Sequence, residues 1–262
     1  MAVESLTLPV ASPAAQVLGA TALQPERSRH VTAGAAITPA AGLDVTVDAY
    51  RIAINDCIVL SGNFTAPPIA ALLRPFGANS ARFFTNAIDT ETNGVEAEAS
   101  YHVAIGTAND LRLHGGYTHT RTQIVGSIAT PPQLAGFESV LFDRIERRRI
   151  ECGQPGDNAR IGGEWRRRRL GVNAGAARYG SVCSFTLNPA DDQKYSAKWL
   201  TDAEVSFRPA GFMLAIGGEN LFDVFPDRNS PVNSFNGIQT FPAQSPFGMN
   251  GRTIYVRIGR IL

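Results

Sequence analysis

The sequence has no long apolar segment and almost no net charge, and each absence argues against a class of protein. No apolar run approaches the roughly 20 residues of a transmembrane helix. The formal net charge is +1 with 44% hydrophobic residues, which argues against a disordered chain and against a nucleic-acid partner. A membrane-spanning β-barrel remains compatible, because its strands alternate apolar and polar residues and average a near-neutral hydropathy.

Cysteine and lysine are also scarce. The three cysteines, Cys57, Cys152 and Cys183, are an odd number without a CxxC spacing, which argues against a zinc site. One disulfide between Cys152 and Cys183 and three independent thiols are both compatible with the sequence. Lys194 and Lys198 are the only lysines, so nearly all basic residues are arginines.

Strict alternation of apolar and polar residues is the main pattern in the chain. In Leu43–Ile52, Leu43, Val45 and Val47 share one face, and aspartate and threonine side chains share the other. The stretch Trp199–Arg208 alternates in the same way. This period of two predicts half-buried β-strands and fits a helix poorly.

Nine such strands are predicted between Ser28 and the C-terminus, after an irregular lead-in over residues 1–27. Tight turns are predicted near residues 40, 107, 167 and 210, and long loops at 54–90, 126–157, 182–194 and 222–250. Short helices are expected around Ile69–Leu73 and Phe142–Ile150. Short and long connections alternate without exception, which places all tight turns on one side of an up-and-down barrel and all long loops on the other.

The strands themselves favour a membrane. Each predicted run has about 9–12 residues, the length that a tilted strand needs to cross a bilayer. The second face of the strands carries Asp, Glu, Arg, His and Thr, which suit a watery lumen better than the core of a β-sandwich.

Signals for an enzyme are poor. The four histidines, His30, His102, His114 and His119, lie on separate strands or strand ends without metal-ligand spacing. There is no GxSxG elbow and no phosphate-binding loop. We therefore expect no catalytic residue, cofactor or metal, and interpret the histidines as polar lining, with His102 and His114 both facing the lumen.

Several clusters have a structural interpretation. Arg166–Arg169 is expected at a tight turn that meets lipid headgroups, and Glu146–Arg149 in a long loop, as a solvated face or as a contact for an anionic ferric chelate. Asp191, Asp192 and Asp227–Asn229 are expected to be hydrophilic loop residues, because they lack the spacing of a calcium loop. Aromatic girdles at the membrane interfaces are expected from the following residues: Trp165, Trp199, Tyr101, Tyr117 and Tyr255.

Four stretches, in order along the chain, carry a resemblance to a known family. They are Leu18–Ser28, with Gln-Pro-Glu-Arg-Ser; Leu43–Ile52; Asn86–Glu96, with Thr-Asn-Gly-Val-Glu; and Glu219–Asp227, with Asn-Leu-Phe-Asp. The chain resembles the C-terminal part of the β-barrel of TonB-dependent outer-membrane receptors, which import siderophores, cobalamin and other scarce nutrients. The resemblance covers most of residues 18–262.

The resemblance implies an all-β, antiparallel up-and-down transmembrane barrel that is partial, with about nine strands and no plug domain, over residues 28–262. It also implies the outer membrane of a Gram-negative-type bacterium, a small-molecule or metal-chelate ligand at the extracellular loops, and energy from TonB through a plug domain. Because nine strands cannot close into an antiparallel barrel, we expect a receptor fragment or a truncated gene product. Leu262 and Arg260 stand where the family usually has aromatic residues.

Two other interpretations remain open at this point. One is a passive porin-like barrel, and the other is a soluble β-sandwich that serves as a binding module. The identity of the ligand, the ligand-binding residues and the oligomeric state are not determined by the sequence.

Overall fold

The computed structural model describes residues 5–186 and 188–260, and about half of them lie in one mainly antiparallel sheet. The strands are β1 (Ser5–Leu8), β2 (Arg27–Ala40), β3 (Leu43–Leu60), β4 (Ser80–Ile105), β5 (Asn109–Val125), β6 (Asp157–Arg167), β7 (Leu170–Tyr179), β8 (Val182–Ser184), β9 (Gln193–Tyr195), β10 (Lys198–Phe207), β11 (Phe212–Glu219) and β12 (Thr253–Arg260). The helices are α1 (Pro13–Val17), α2 (Pro67–Leu73), α3 (Glu138–Leu141) and α4 (Arg144–Cys152), with 3₁₀ turns at Arg74–Phe76, Pro132–Leu134, Pro189–Asp191 and Val232–Ser234.

Nine strands pair in sequence order, from β2 through β7 and then from β10 to β12. This meander confirms the predicted partial up-and-down barrel. Within the described residues β2 and β12 do not pair with each other, so the sheet is open. Every residue of β2 is exposed at one of these edges. Leu262, at the predicted seam, lies outside the described residues.

Tight turns join β2 to β3, β4 to β5, β6 to β7 and β10 to β11, as predicted. Three of these turns contain a glycine with positive φ, including Gly106 at 65°, and the fourth places Arg168 at 52°. Only glycine adopts this backbone region without steric cost, which explains its position at the turns. These turns lie at one end of the strands, which we call the turn end. All the long connections lie at the other end of the strands, which we call the loop end.

The two faces of the sheet differ as the alternation predicts. The outer face is apolar although it is exposed: Ile254, Val256 and Ile258 on β12 keep 60%, 70% and 73% of their surface accessible. The inner face carries the polar residues of the strands, such as Asp48 on β3, Glu98 on β4 and Glu204 on β10. No second sheet covers the outer face in the described part of the chain, which contradicts a β-sandwich. A face of this kind fits lipid.

Four of the five predicted girdle residues lie on the outer face, as their strand pairing shows. Tyr101 and Trp165 lie towards the turn end, and Tyr117 and Trp199 lie in one register row towards the loop end. The prediction is wrong for Tyr255. This residue is on the inner face, because its neighbours Ile254 and Val256 point outward, and its hydroxyl donates to Glu204 at 3.0 Å.

Two sequence predictions of local structure are wrong. The 54–90 loop is shorter than expected, because β3 and β4 continue their pairing to Leu60 and Phe84 through a bulge next to Asp56, whose φ is 58°. The bulge breaks the alternation, so the period of two fails there. The expected irregular lead-in contains β1, which pairs in parallel with the start of β4, and helix α1.

The long connections pack into a cap at the loop end. Its buried core brings together the lead-in, the 61–79 connection, the 126–156 connection and the start of β4. The fully buried side chains include Leu18, Phe64, Leu73, Phe83 and Leu141. The two predicted loop helices are present as α2 and α4. Among the described residues, no helix has the length and apolarity needed to cross a bilayer.

Candidate ligand-binding cap and channel face

The inner face of the sheet is a polar wall with paired charges. Glu98 and Arg160 form an ion pair across β4, β5 and β6, and Glu204 pairs with Arg257. The Glu98 pair borders a concave cleft of about 410 Å³. The Glu98–Arg160 pair is largely exposed, so it contributes little to stability, and its main effect is to line a water-accessible surface.

The histidines do not come together. His30, His102 and His114 lie on the inner face of three strands, as their register partners show. His119 lies on the outer face, so the prediction that it lines the lumen is wrong. His102 contacts Asp110 at 2.5 Å, and Arg112 lies 3.4 Å from the other oxygen of that carboxylate. Among the residues that the structure describes, no group of three or more His, Cys, Asp or Glu side chains has the arrangement of a metal site.

A disulfide joins Cys152, at the end of α4, to Cys183 in β8, with Cα atoms 5.6 Å apart. Of the two possibilities that the sequence left open, one disulfide or three independent thiols, the structure has the disulfide. The bond links the 126–156 connection to the 180–197 connection. Cys57 is a free, buried cysteine in β3.

An arginine at the start of α4 reinforces the same junction. Arg144 donates to both carboxylate oxygens of Asp192 at 2.9 and 2.7 Å and also to the carbonyl of Thr186. The guanidinium groups of Arg144 and Arg148 lie 5.9 and 5.1 Å from the ring centroid of Phe185. The Arg144 hydrogen bonds hold the pKa of Asp192 below its usual value. Asp192, expected only to be a hydrophilic loop residue, therefore anchors α4.

A second carboxylate docks the 220–252 connection onto the start of β10. Asp227 accepts from the Ser196 amide at 2.5 Å and hydroxyl at 2.6 Å, and it pairs with Lys198 at 2.6 Å. Burial raises the pKa of Asp227, but the hydrogen bonds from Lys198 and Ser196 outweigh this effect and bring the pKa to about 2. The Tyr195 hydroxyl adds a 2.7 Å bond to Asn229.

A cleft of about 730 Å³ opens in the cap between the ends of β3 and β4 and helices α3 and α4. Its charged lining consists of Arg82, Asp143, Glu146 and Arg149. Helix α4 brings Arg149 and Glu146 here and pairs them at 2.8 Å. The lining offers positively charged guanidinium groups, which donate hydrogen bonds, next to carboxylates, which accept them. It can therefore bind a polar, multiply charged small molecule.

The sequence did not reveal the anchors of the cap. Arg144 and Asp192 are 48 residues apart, and Lys198 and Asp227 are separated by an entire hairpin. No local spacing signals such pairs. Arg166, in the predicted headgroup-facing turn, pairs with Glu164 on its own strand at 3.1 Å.

The family model described as "TonB dependent receptor-like, beta-barrel" matches residues 5–221. The chain therefore belongs to the TonB-dependent receptor β-barrel family, whose members are outer-membrane receptors rather than enzymes. No curated protein matches the chain.

Solved structures share the fold at low sequence identity. A complex of FpvAI with pyocin S2 has a TM-score of 0.59 at 16% identity, over 93% of this chain and 29% of that one. The FrpB iron transporter of Neisseria meningitidis (F3-3 variant) has a TM-score of 0.59 at 12% identity, and the match covers 90% of this chain and 31% of that one. The pyoverdine receptor FpvA of Pseudomonas aeruginosa PAO1, bound to pyoverdine, has a TM-score of 0.59 at 15% identity, and the match covers 90% of this chain and 30% of that one. The chain thus spans about 30% of the length of these proteins.

Proposed function

We propose that the chain is part of an outer-membrane TonB-dependent transporter that takes up a siderophore-like or other scarce nutrient. One observation carries the proposal: the sheet has a lipid-type outer face, a charged inner face and a packed cap at only one end. In outer-membrane barrels the long connections are extracellular, so the cap is the part that meets a ligand first. Residues 28–262 then form the C-terminal part of the barrel.

The mechanism involves capture and a conformational change, without covalent chemistry. The cap core, the disulfide and the Arg144–Asp192 pair hold the charged cleft in shape before a ligand arrives, which lowers the entropic cost of binding. Energy from TonB acts through a plug domain, as in other members of the family, and the ligand then moves along the charged inner face. The siderophore and iron receptors with the same fold support a metal chelate as the ligand class.

Uptake in cells tests this proposal. The whole transporter of which these 262 residues are a part is expressed in cells that lack their own siderophore receptors, with and without TonB, and a panel of ⁵⁵Fe-labelled siderophores is offered. We expect accumulation of at least one chelate that needs both the gene and TonB. Accumulation that persists without TonB would instead support a passive porin-like barrel.

The cleft has a test of its own. The variant Arg82→Gln/Arg149→Gln should bind the transported chelate several-fold more weakly than the parent protein, because two positive donors are lost. Arg74→Gln/Arg228→Gln is the matched control, since it removes two exposed arginines of the cap that do not line the cleft. Equal affinity of both variants would exclude the cleft as the binding site.

A further inference from the structure

Helix α4 uses two of its sides for different contacts. Ile145 and Arg149, one turn apart, line the cleft in the cap. Arg144, Arg148 and Cys152 are spaced four residues apart, so they form a stripe along another side of the same helix. The helix therefore stands between the cleft and the segment that this stripe contacts.

The stripe is fastened to the 180–197 connection at both ends of the helix. The disulfide joins the end of α4 to Cys183, and the ion pair with Asp192 joins its start. Phe185 packs against both arginines of the stripe. None of the described residues from 180 to 252 lines the cleft. Because a helix is held along its length by its own hydrogen bonds, a shift of the 180–197 connection moves the cleft wall with it.

The 180–197 connection rests in turn on the 220–252 connection. The Gln193 side chain accepts from the Ser230 amide at 2.8 Å and donates to the Arg228 carbonyl at 2.7 Å. The hydroxyl of Tyr195 donates to Asn229 at 2.7 Å. Both Gln193 and Tyr195 belong to β9, which pairs with β8, the strand that carries the disulfide. The position of β8 therefore depends on the segment around residue 229.

The 220–252 connection is held to the barrel by Asp227, through Ser196 and through Lys198 at the start of β10. A continuous series of contacts thus leads from a barrel strand to the cleft wall. We propose that Asp227 is a positioning residue for the cleft. By docking the 220–252 connection it sets the position of α4, through β9, β8 and the Cys152–Cys183 bond.

Hydrogen exchange, resolved by peptide, tests this coupling without a ligand. The whole transporter and its Asp227→Asn variant are compared in detergent micelles at pH 7. In the variant the amides of α4 should exchange several-fold faster, because the 220–252 connection no longer supports the segment that holds the helix. Helix α2 lies in the same cap core but outside this series of contacts, so its exchange should not change.

A role of Asp227 confined to its own loop would accelerate exchange in the 220–252 connection and leave α4 unchanged. Asp223→Asn is the matched control, because Asp223 lies on the same connection, accepts from the Arg252 amide and does not contact β10. Unchanged exchange of α4 in Asp227→Asn would overturn the proposal. Equal acceleration of α4 in Asp223→Asn, or of α2 in Asp227→Asn, would do the same.

The reverse experiment tests the path, because a coupling between two sites is reciprocal. In Cys152→Ser/Cys183→Ser the Ser230 amide should exchange several-fold faster than in the parent, whereas Cys57→Ser should leave it unchanged. An unchanged Ser230 amide in the double variant would show that the disulfide does not carry the coupling.

The consequence for binding rests on the proposed function. Asp227→Asn should bind the transported chelate several-fold more weakly than Asp223→Asn, although neither residue lines the cleft. Accelerated exchange of α4 with unchanged affinity would exclude the cleft as the ligand site and leave the coupling in place. Unchanged exchange of α4 would overturn the coupling whatever the ligand is.

Discussion

At the residue scale, Asp227 shows how one carboxylate holds a long loop. It receives two hydrogen bonds from Ser196 and an ion pair from Lys198, and about a third of its side chain remains accessible. These contacts join the 220–252 connection to Ser196 and to Lys198, the first residue of β10. The docking of the loop therefore depends on the charge of this group.

Replacing Asp227 with Asn should loosen the loop. The amide keeps one acceptor oxygen but loses the charge that attracts Lys198, so trypsin should cleave after the exposed Arg228 several-fold faster at pH 8 than in the parent. Asp223→Asn is a control on the same loop, because Asp223 accepts from the Arg252 amide and does not contact β10. Equal cleavage of Asp227→Asn and the parent would contradict this role.

The same contact predicts a dependence on pH. The folded-state pKa of Asp227 is about 2, below the ordinary value of 3.8, so its stabilisation is complete above the unfolded pKa and is lost as pH falls through about 2. Protection of the Ser196 amide from hydrogen exchange, corrected for the intrinsic rate, should be constant above pH 5 and decline between pH 4 and pH 2. A decline already at pH 6 would show that another group controls the docking.

Close packing between strands gives another prediction at this scale. A Cβ atom on Gly94 would lie 2.2 Å from the ring of Tyr50, and Tyr50 hydrogen-bonds to Thr120 at 2.7 Å on the far side of β4. Gly94→Ala should therefore lower the free energy of unfolding by about 1–3 kcal/mol. A lower urea midpoint of unfolding would show this loss. In the double variant Tyr50→Ala/Gly94→Ala, the additional cost of Gly94→Ala should be small, because the ring is gone.

At the element scale, helix α4 is held by a covalent bond and by charge. The disulfide spans 31 residues of sequence, and Arg144 binds Asp192 through two hydrogen bonds. Phe185 packs against two arginines of the helix. These contacts make α4, β8 and β9 one unit of the cap.

Removing the disulfide should release this helix without affecting the barrel. In Cys152→Ser/Cys183→Ser, tryptic cleavage at Arg147–Arg149 should accelerate at least severalfold, because a cross-link over a loop of this length contributes about 4 kcal/mol. The strand signal in circular dichroism should stay the same. Cys57→Ser is the matched control, since Cys57 is not cross-linked. Unchanged cleavage would mean that the Arg144–Asp192 pair alone holds the helix.

At the scale of the whole molecule, the assignment of the two faces has a direct test. Val47 is on the outer face in the middle of the spanning part of β3, and Thr46 is on the inner face beside it. Val47→Arg should lose about 2–4 kcal/mol of stability in urea unfolding from lipid vesicles, and Thr46→Arg much less. The reverse order would mean that the faces are interchanged.

The sequence alone determined the nine strands of the meander, the alternation of short and long connections and the family. These features are local: side-chain alternation repeats every two residues, and turn residues such as Gly42 and Gly106 mark where hairpins reverse. Register then follows, because one face must meet lipid and the other water. The inner position of Tyr255 was one exception, since the girdle prediction used residue type and ignored the alternation of β12.

Only the tertiary structure decided the cap. The pairing of Cys152 with Cys183, the Arg144–Asp192 contact and the docking of Asp227 join segments that are distant in sequence, and loop residues have no period from which their partners can be read. Local periodicity specifies the strands, whereas contacts between distant segments exist only after the chain has folded.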